Sequence, residues 1–135
     1  MLLRGEEILT NPEEMGIIAE TTVLRHLYAY YYRDIPEIVY WRDPASQKEV
    51  DIIVRSPSYN FPFEVKYQEN PNLMETSGLV AYSRLENVQK AYWVTKRDSD
   101  FSVTTFKGMN TKFLKIPAHI LCYLLGQAER LLWTK

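Results

Sequence analysis

Residues 49–67 read Glu-Val-Asp-Ile-Ile-Val-Arg-Ser-Pro-Ser-Tyr-Asn-Phe-Pro-Phe-Glu-Val-Lys-Tyr, and this stretch decides the fold. From Glu49 to Arg55 apolar and polar residues alternate, which is the two-residue period of a half-buried strand. Val50, Ile52 and Val54 are expected on one face, and Glu49, Asp51 and Arg55 on the other. Phe61 to Tyr67 alternates as well, with Phe61, Phe63 and Val65 opposed to Pro62, Glu64 and Lys66. Ser56-Pro57-Ser58 is turn chemistry, so the two strands form a hairpin. If Val54 pairs with Phe61, antiparallel register sets Asp51 opposite Glu64, and any in-phase slip keeps both acids on one face.

The flanking elements build outward from this hairpin. Asn11-Pro12-Glu13-Glu14 is a helix start: a capping residue, proline in the first turn, and acids at the positive end of the dipole. A helix is expected from Pro12 to about Arg33, with Ile17, Leu24, Leu27 and Tyr31 as its apolar stripe. Glu37 to Arg42 is rich in β-branched and aromatic residues and reads as a strand. Asn72 with Glu75 three residues on suggests a capping box for a helix to about Arg84. Lys90–Lys96 and Phe101–Phe106 read as strands, and Pro117–Trp133 as a final amphipathic helix. The expected order is helix, three strands, helix, two strands, helix: one mixed α/β domain over residues 1–135, with a central sheet flanked by helices.

Two acids facing each other across a hairpin destabilise it unless something offsets the repulsion. Solvent, a raised pKa, Lys66 or a metal ion could each do so. Glu20 adds a third acid, because it stands inside the apolar stripe of the first helix and therefore points toward the sheet. Carboxylates with water suit Mg²⁺ or Mn²⁺, which beside a phosphodiester neutralises charge and lowers the pKa of a water. Lys66, two residues after Glu64, sets a cation beside that site. The plainer reading of the same residues is a solvated hairpin face with a cross-strand ion pair, and spacing alone does not separate the two. Glu49 is a weaker ligand candidate on the same face.

Size and composition bound the remaining options. A chain of 135 residues with 46% hydrophobic content can bury a single core. One cysteine, Cys122, excludes an internal disulfide and a cysteine zinc cluster, and fits a reducing cytoplasm. The opening Met-Leu-Leu-Arg-Gly-Glu-Glu is not expected to be a signal peptide, and the apolar run Ile120–Leu125 is too short to span a bilayer. Residues 1–83 hold 7 Lys/Arg and 13 Asp/Glu, whereas residues 84–135 hold 9 and 4. Lys90, Lys96, Arg97, Lys107, Lys112 and Lys115 could therefore meet phosphates, with Tyr67 and Tyr82 near a nucleic-acid groove, or simply form a solvated basic face. His119 and Cys122 have metal-ligand spacing, but two ligands make a poor site.

A helical glutamate, a strand aspartate and a strand ending in Glu-x-Lys resemble the PD-(D/E)XK nucleases. Glu20, Asp51, Glu64 and Lys66 match these positions in order. More closely, Gly16–Glu20, Val39–Arg42, Glu49–Val54 and Phe63–Tyr67 resemble the C-terminal nuclease-like domain of a prokaryotic family of AAA-type ATPases, over roughly residues 14–120. No Gly-x-x-x-x-Gly-Lys-Ser/Thr loop is present, so this chain lacks the ATP site of such proteins. The resemblance implies a restriction-endonuclease-like core that hydrolyses DNA with Mg²⁺ or Mn²⁺ held by Asp51, Glu64 and Glu20, and an ATPase module as partner. Two other outcomes are compatible with it. One is a non-catalytic DNA- or protein-docking accessory module; the other is an inactive fold whose acids serve only stability.

Overall fold

The computed structural model describes residues 11–68 and 72–133. Helix α1 spans Pro12–Tyr31 and is followed by a short 3-10 turn, Tyr32–Asp34. Strands β1 (Glu37–Arg42), β2 (Glu49–Ser56) and β3 (Tyr59–Val65) come next. Helix α2 (Gly78–Glu86), strands β4 (Lys90–Thr95), β5 (Ser102–Thr104) and β6 (Lys112–Pro117), and helix α3 (Ala118–Trp133) complete the chain. The six strands form one mixed sheet in the order β1-β2-β3-β4-β6-β5. The mixed α/β architecture is thus as expected, with one strand more than the sequence reading supplied.

The start of α1 follows its sequence signals. Asn11 Oδ1 accepts the amides of Glu13 and Glu14 at 3.0 and 3.3 Å, and Pro12 takes the first helical position. Asn11→Ala is expected to cost about 1 kcal/mol, read as a lower midpoint in urea. The buried stripe of α1 is Ala19, Val23 and Leu27, with Leu24 and Tyr31 packed partly against it; Ile17 is exposed. Ile17 is the larger and more apolar residue of the expected stripe, but Ala19 is the one turned to the sheet.

The hairpin also forms as expected. Val54 pairs with Phe61, and Pro57-Ser58 make the turn between β2 and β3. Beyond β3 the sheet becomes parallel: Phe63 pairs with Tyr92 on β4, and Val94 with Ile116 on β6. The strand missing from the sequence reading is β6. Its lysines at 112 and 115 dilute the apolar signal, and Pro117, which by sequence suits the first turn of the helix that follows, is instead the last residue of the strand. In the sheet it is an interior strand between β4 and the β5 edge, with Phe113 and Ile116 buried.

Helix α2 begins later than expected. Its cap is Ser77, whose Oγ accepts the Val80 amide at 3.3 Å, rather than Asn72. Glu75 forms an ion pair with Arg84 at 3.4 Å instead of completing a capping box. The reason is steric. A Cβ on Gly78 would lie 2.0 Å from the Glu49 carbonyl oxygen, so only glycine lets the first turn of α2 rest on the backbone of β2.

Two apolar clusters sandwich the sheet. On one face, α1 and α3 cover Ile52, Val54, Phe63, Val94 and Ile116. On the other, α2 covers Val50, Ile53, Ala91, Trp93 and Phe113. Val50 therefore lies on the opposite face from Ile52 and Val54, where simple alternation had grouped all three. Among the described residues no helix is long and apolar enough to cross a membrane.

Candidate functional site

The change of face in β2 has a local cause. Val39 pairs with Ile53 while Trp41 pairs with Val50, so β2 has one residue more than β1 over this stretch. That is a β-bulge around Asp51 and Ile52, a feature that re-aims side chains at strand ends. The β2–β3 ladder ends at Ile52 and Phe63. One step further, Asp51 Oδ2 accepts the Val65 amide at 2.8 Å, so the carboxylate takes over where the main-chain ladder stops.

Glu64 stands on the penultimate residue of β3 and is 8% exposed. Burial, and after it the charge of Asp51, push its carboxyl up to about 8. Lys66 acts in the opposite direction, with Nζ 3.7 Å from Glu64 Oε1. The lysine is just past the strand end, where its own amide donates to Val94 O at 2.7 Å and holds the segment to β4. The like-charge problem posed by the sequence is therefore met by a raised pKa and by Lys66 together.

Asp51, Glu64 and Lys66 open into one polar cleft of about 350 Å³, walled also by Glu49, Gln47, Trp93, Ser77 and Gly78. Glu49 pairs with Arg42 at 3.5 Å on the rim. Glu20 approaches from α1 without lining the cleft. Partial burial raises its pKa, Asp51 raises it further, and Lys66 offsets part of the shift. All four residues singled out in the sequence thus share one electrostatic neighbourhood, three of them in one cavity. Among the described residues, no three His, Cys, Asp or Glu side chains are already gathered as a cation cage.

Two walls of the cleft were not legible beforehand. Trp93 is set beside Glu64 by parallel pairing of β3 with β4, a long-range register that no local pattern encodes. Its ring carries the Lys115 ammonium at 5.3 Å, and Lys115 also pairs with Asp100 at 3.4 Å. Gly78 had a signal in the Ser77-Gly78 pair, which an earlier cap obscured. Conversely, Tyr82 is core, 1% exposed, and its hydroxyl donates to Asn60 Oδ1 at 3.0 Å, so it borders no open groove. Tyr67 is half-buried beneath Lys96, whose Nζ lies 5.7 Å from the ring centroid. His119 Nε2 faces Asp98 Oδ1 at 3.0 Å, so it forms an ion pair when protonated.

No curated protein matches the chain. The pattern of DUF4143, a domain of unknown function, matches residues 15–118. That span runs from the first turns of α1 through β6 and contains Glu20, Asp51, Glu64 and Lys66. With well over half of its length matched, the chain belongs to the DUF4143 family.

Proposed function

We propose that the cleft holds Mg²⁺ or Mn²⁺ through Asp51 and Glu64 and hydrolyses phosphodiester bonds in DNA. The observation that carries this reading is the near-complete burial of the Glu64 carboxyl against Asp51 in a polar cavity, with Lys66 at 3.7 Å. Two hard carboxylates suffice as protein ligands, because Mg²⁺ keeps several waters. Bound there, the ion would neutralise phosphate charge and lower the pKa of a water. Lys66 contributes a fixed positive charge beside Glu64, placed to orient the attacking water or stabilise the leaving oxygen. Glu20, from α1, completes the acidic set through water. Trp93 excludes solvent from the inner wall. The sequence resemblance supports an AAA-type ATPase module as the partner of this domain.

The test is calorimetric titration of Mn²⁺ and Mg²⁺ into the wild type and Asp51→Asn, followed by cleavage of plasmid and linear DNA. Binding in the wild type, and its loss together with cleavage in the variant, is the expected result. Cleavage retained by a folded Asp51→Asn protein would sink the assignment.

One observation favours a second reading. Asp51 already has a structural task in capping the Val65 amide. Under that reading the domain is a docking module for DNA or protein, and both variant and wild type bind no divalent ion.

A further inference from the structure

Among the described residues the sheet has two edges, and they are built differently. The β5 edge has three residues, Ser102–Thr104, a length that offers little to a pairing strand. The β1 edge has six, and its interior is Ile38-Val39-Tyr40-Trp41. It carries none of the lysines or prolines by which free-standing sheets protect an edge. Its two charged ends are already engaged inside the sheet, Glu37 with Arg55 at 2.7 Å and Arg42 with Glu49 at 3.5 Å.

Beside this edge lies a mainly apolar groove of about 480 Å³, lined by Tyr28, Tyr31, Tyr32, Ile35, Pro36 and Ile38, with Arg33 as the charged member of its wall. Tyr32 is 71% exposed and Ile35 88%. Ile35 has φ 47 and ψ 53, a left-handed conformation that is uncommon for a β-branched residue. It costs on the order of 1–2 kcal/mol and holds an apolar side chain out in water. Tyr28 and Tyr40 are each more than half exposed. Together Tyr28, Tyr32, Ile35 and Tyr40 present roughly 500 Å². That is more than scattered surface residues offer, and with the main chain of β1 added it approaches the ~800 Å² per partner of a standard interface.

We propose that the β1 edge and this groove form a two-fold interface with a second copy of the chain, β1 pairing antiparallel with its counterpart. A two-fold axis normal to the sheet preserves its faces. Ile38 packs on the face covered by α1 and α3, and Tyr40 follows two residues later on the same side. Tyr40 therefore meets Tyr40 or Ile38 of the second copy, and no charged side chain enters the middle of the seam. The main-chain groups of β1 that face outward gain partners, and the exposed tyrosines and Ile35 are covered. The carboxylate cleft opens on the other face, under α2, so this interface does not depend on the chemistry proposed there.

Sedimentation velocity from micromolar to submillimolar protein tests the inference. The wild type is expected to form a dimer. Tyr40→Lys and Ile35→Asp are each expected to weaken it at least about tenfold. Val103→Lys, on the β5 edge, is expected to leave it unchanged. Aspartate tolerates the left-handed region better than isoleucine does. Compared at a concentration low enough for the wild type to be monomeric, Ile35→Asp should therefore keep or raise the melting temperature while it loses dimer at higher concentration, a combination that misfolding does not give. A wild type that stays monomeric overturns the proposal, including one that is monomeric yet captures a strand-forming peptide. So does a dimer that survives both β1-side variants.

Discussion

Gly78→Ala is expected to lower the melting temperature by roughly 10 °C or more, equivalent to about 3 kcal/mol or above for a domain of this size. The added Cβ would fall 2.0 Å from the Glu49 carbonyl oxygen and 2.8 Å from both its carbonyl carbon and its nitrogen. Every one of these atoms is main chain, so no side chain can swing aside. Relief requires α2 to lift from β2, and α2 supplies Leu79, Val80 and Tyr82 to the core on that face. The same movement would open the wall of the carboxylate cleft. Gly16→Ala is the matched control, because nothing lies within 4 Å of the Cβ it would add on α1. There the gain in helix propensity should stabilise by about 0.5–1 kcal/mol. Thermal melts of the two variants beside the wild type decide the point, and equal melting temperatures would mean that α2 does not rest on Glu49 as described.

Glu64→Gln is expected to stabilise the protein in EDTA at pH 8.5, by an amount on the order of a few kcal/mol. The Glu64 carboxyl has a folded-state pKa pushed up to about 8, against an ordinary value of 4.5. Between those values the native state binds more protons than the unfolded chain. The contribution of Glu64 is therefore complete below about pH 4.5 and is lost as pH rises through about 8. The wild type should thus lose stability across this window when chelator is present, and Glu64→Gln should flatten the slope. Urea midpoints at pH 5, 7 and 8.5 give the comparison, at values chosen to span roughly the two limits. A slope that is unchanged in the variant would show that Glu64 is not the group responsible. Under the proposed function, saturating Mn²⁺ should restore the wild type at high pH and leave Glu64→Gln unmoved.

Much of this arrangement was legible from local chemistry. The register of Val54 with Phe61 follows from the turn at Pro57-Ser58 and from two alternating strands, and it carries Asp51 to Glu64. The Asn11 cap follows from a side chain that bonds within its own turn. What escaped was set by distant partners. Val50 changes face because of a bulge that only pairing with β1 reveals. Trp93 reaches Glu64 through a parallel register, and β6 is identified by its place between β4 and β5 rather than by its own pattern. Asn72 has better capping chemistry than its surroundings, yet the helix starts where the backbone can touch β2. The sum of local propensities could not anticipate that contact.

The mixed topology also separates the cleft in time. Asp51 and Glu64 belong to a single hairpin, whose closure involves a short loop and is fast. Trp93 joins them only when β4 docks parallel to β3, and that step must first close the long connection through α2. During folding the two carboxylates are accordingly expected to meet in water, where their repulsion is weak, before the wall that desolvates them arrives. The slow arm of a refolding trace should therefore follow the burial of Trp93, and in a variant with Trp41 and Trp133 changed to phenylalanine its indole fluorescence is the natural clock for the last stage of assembly.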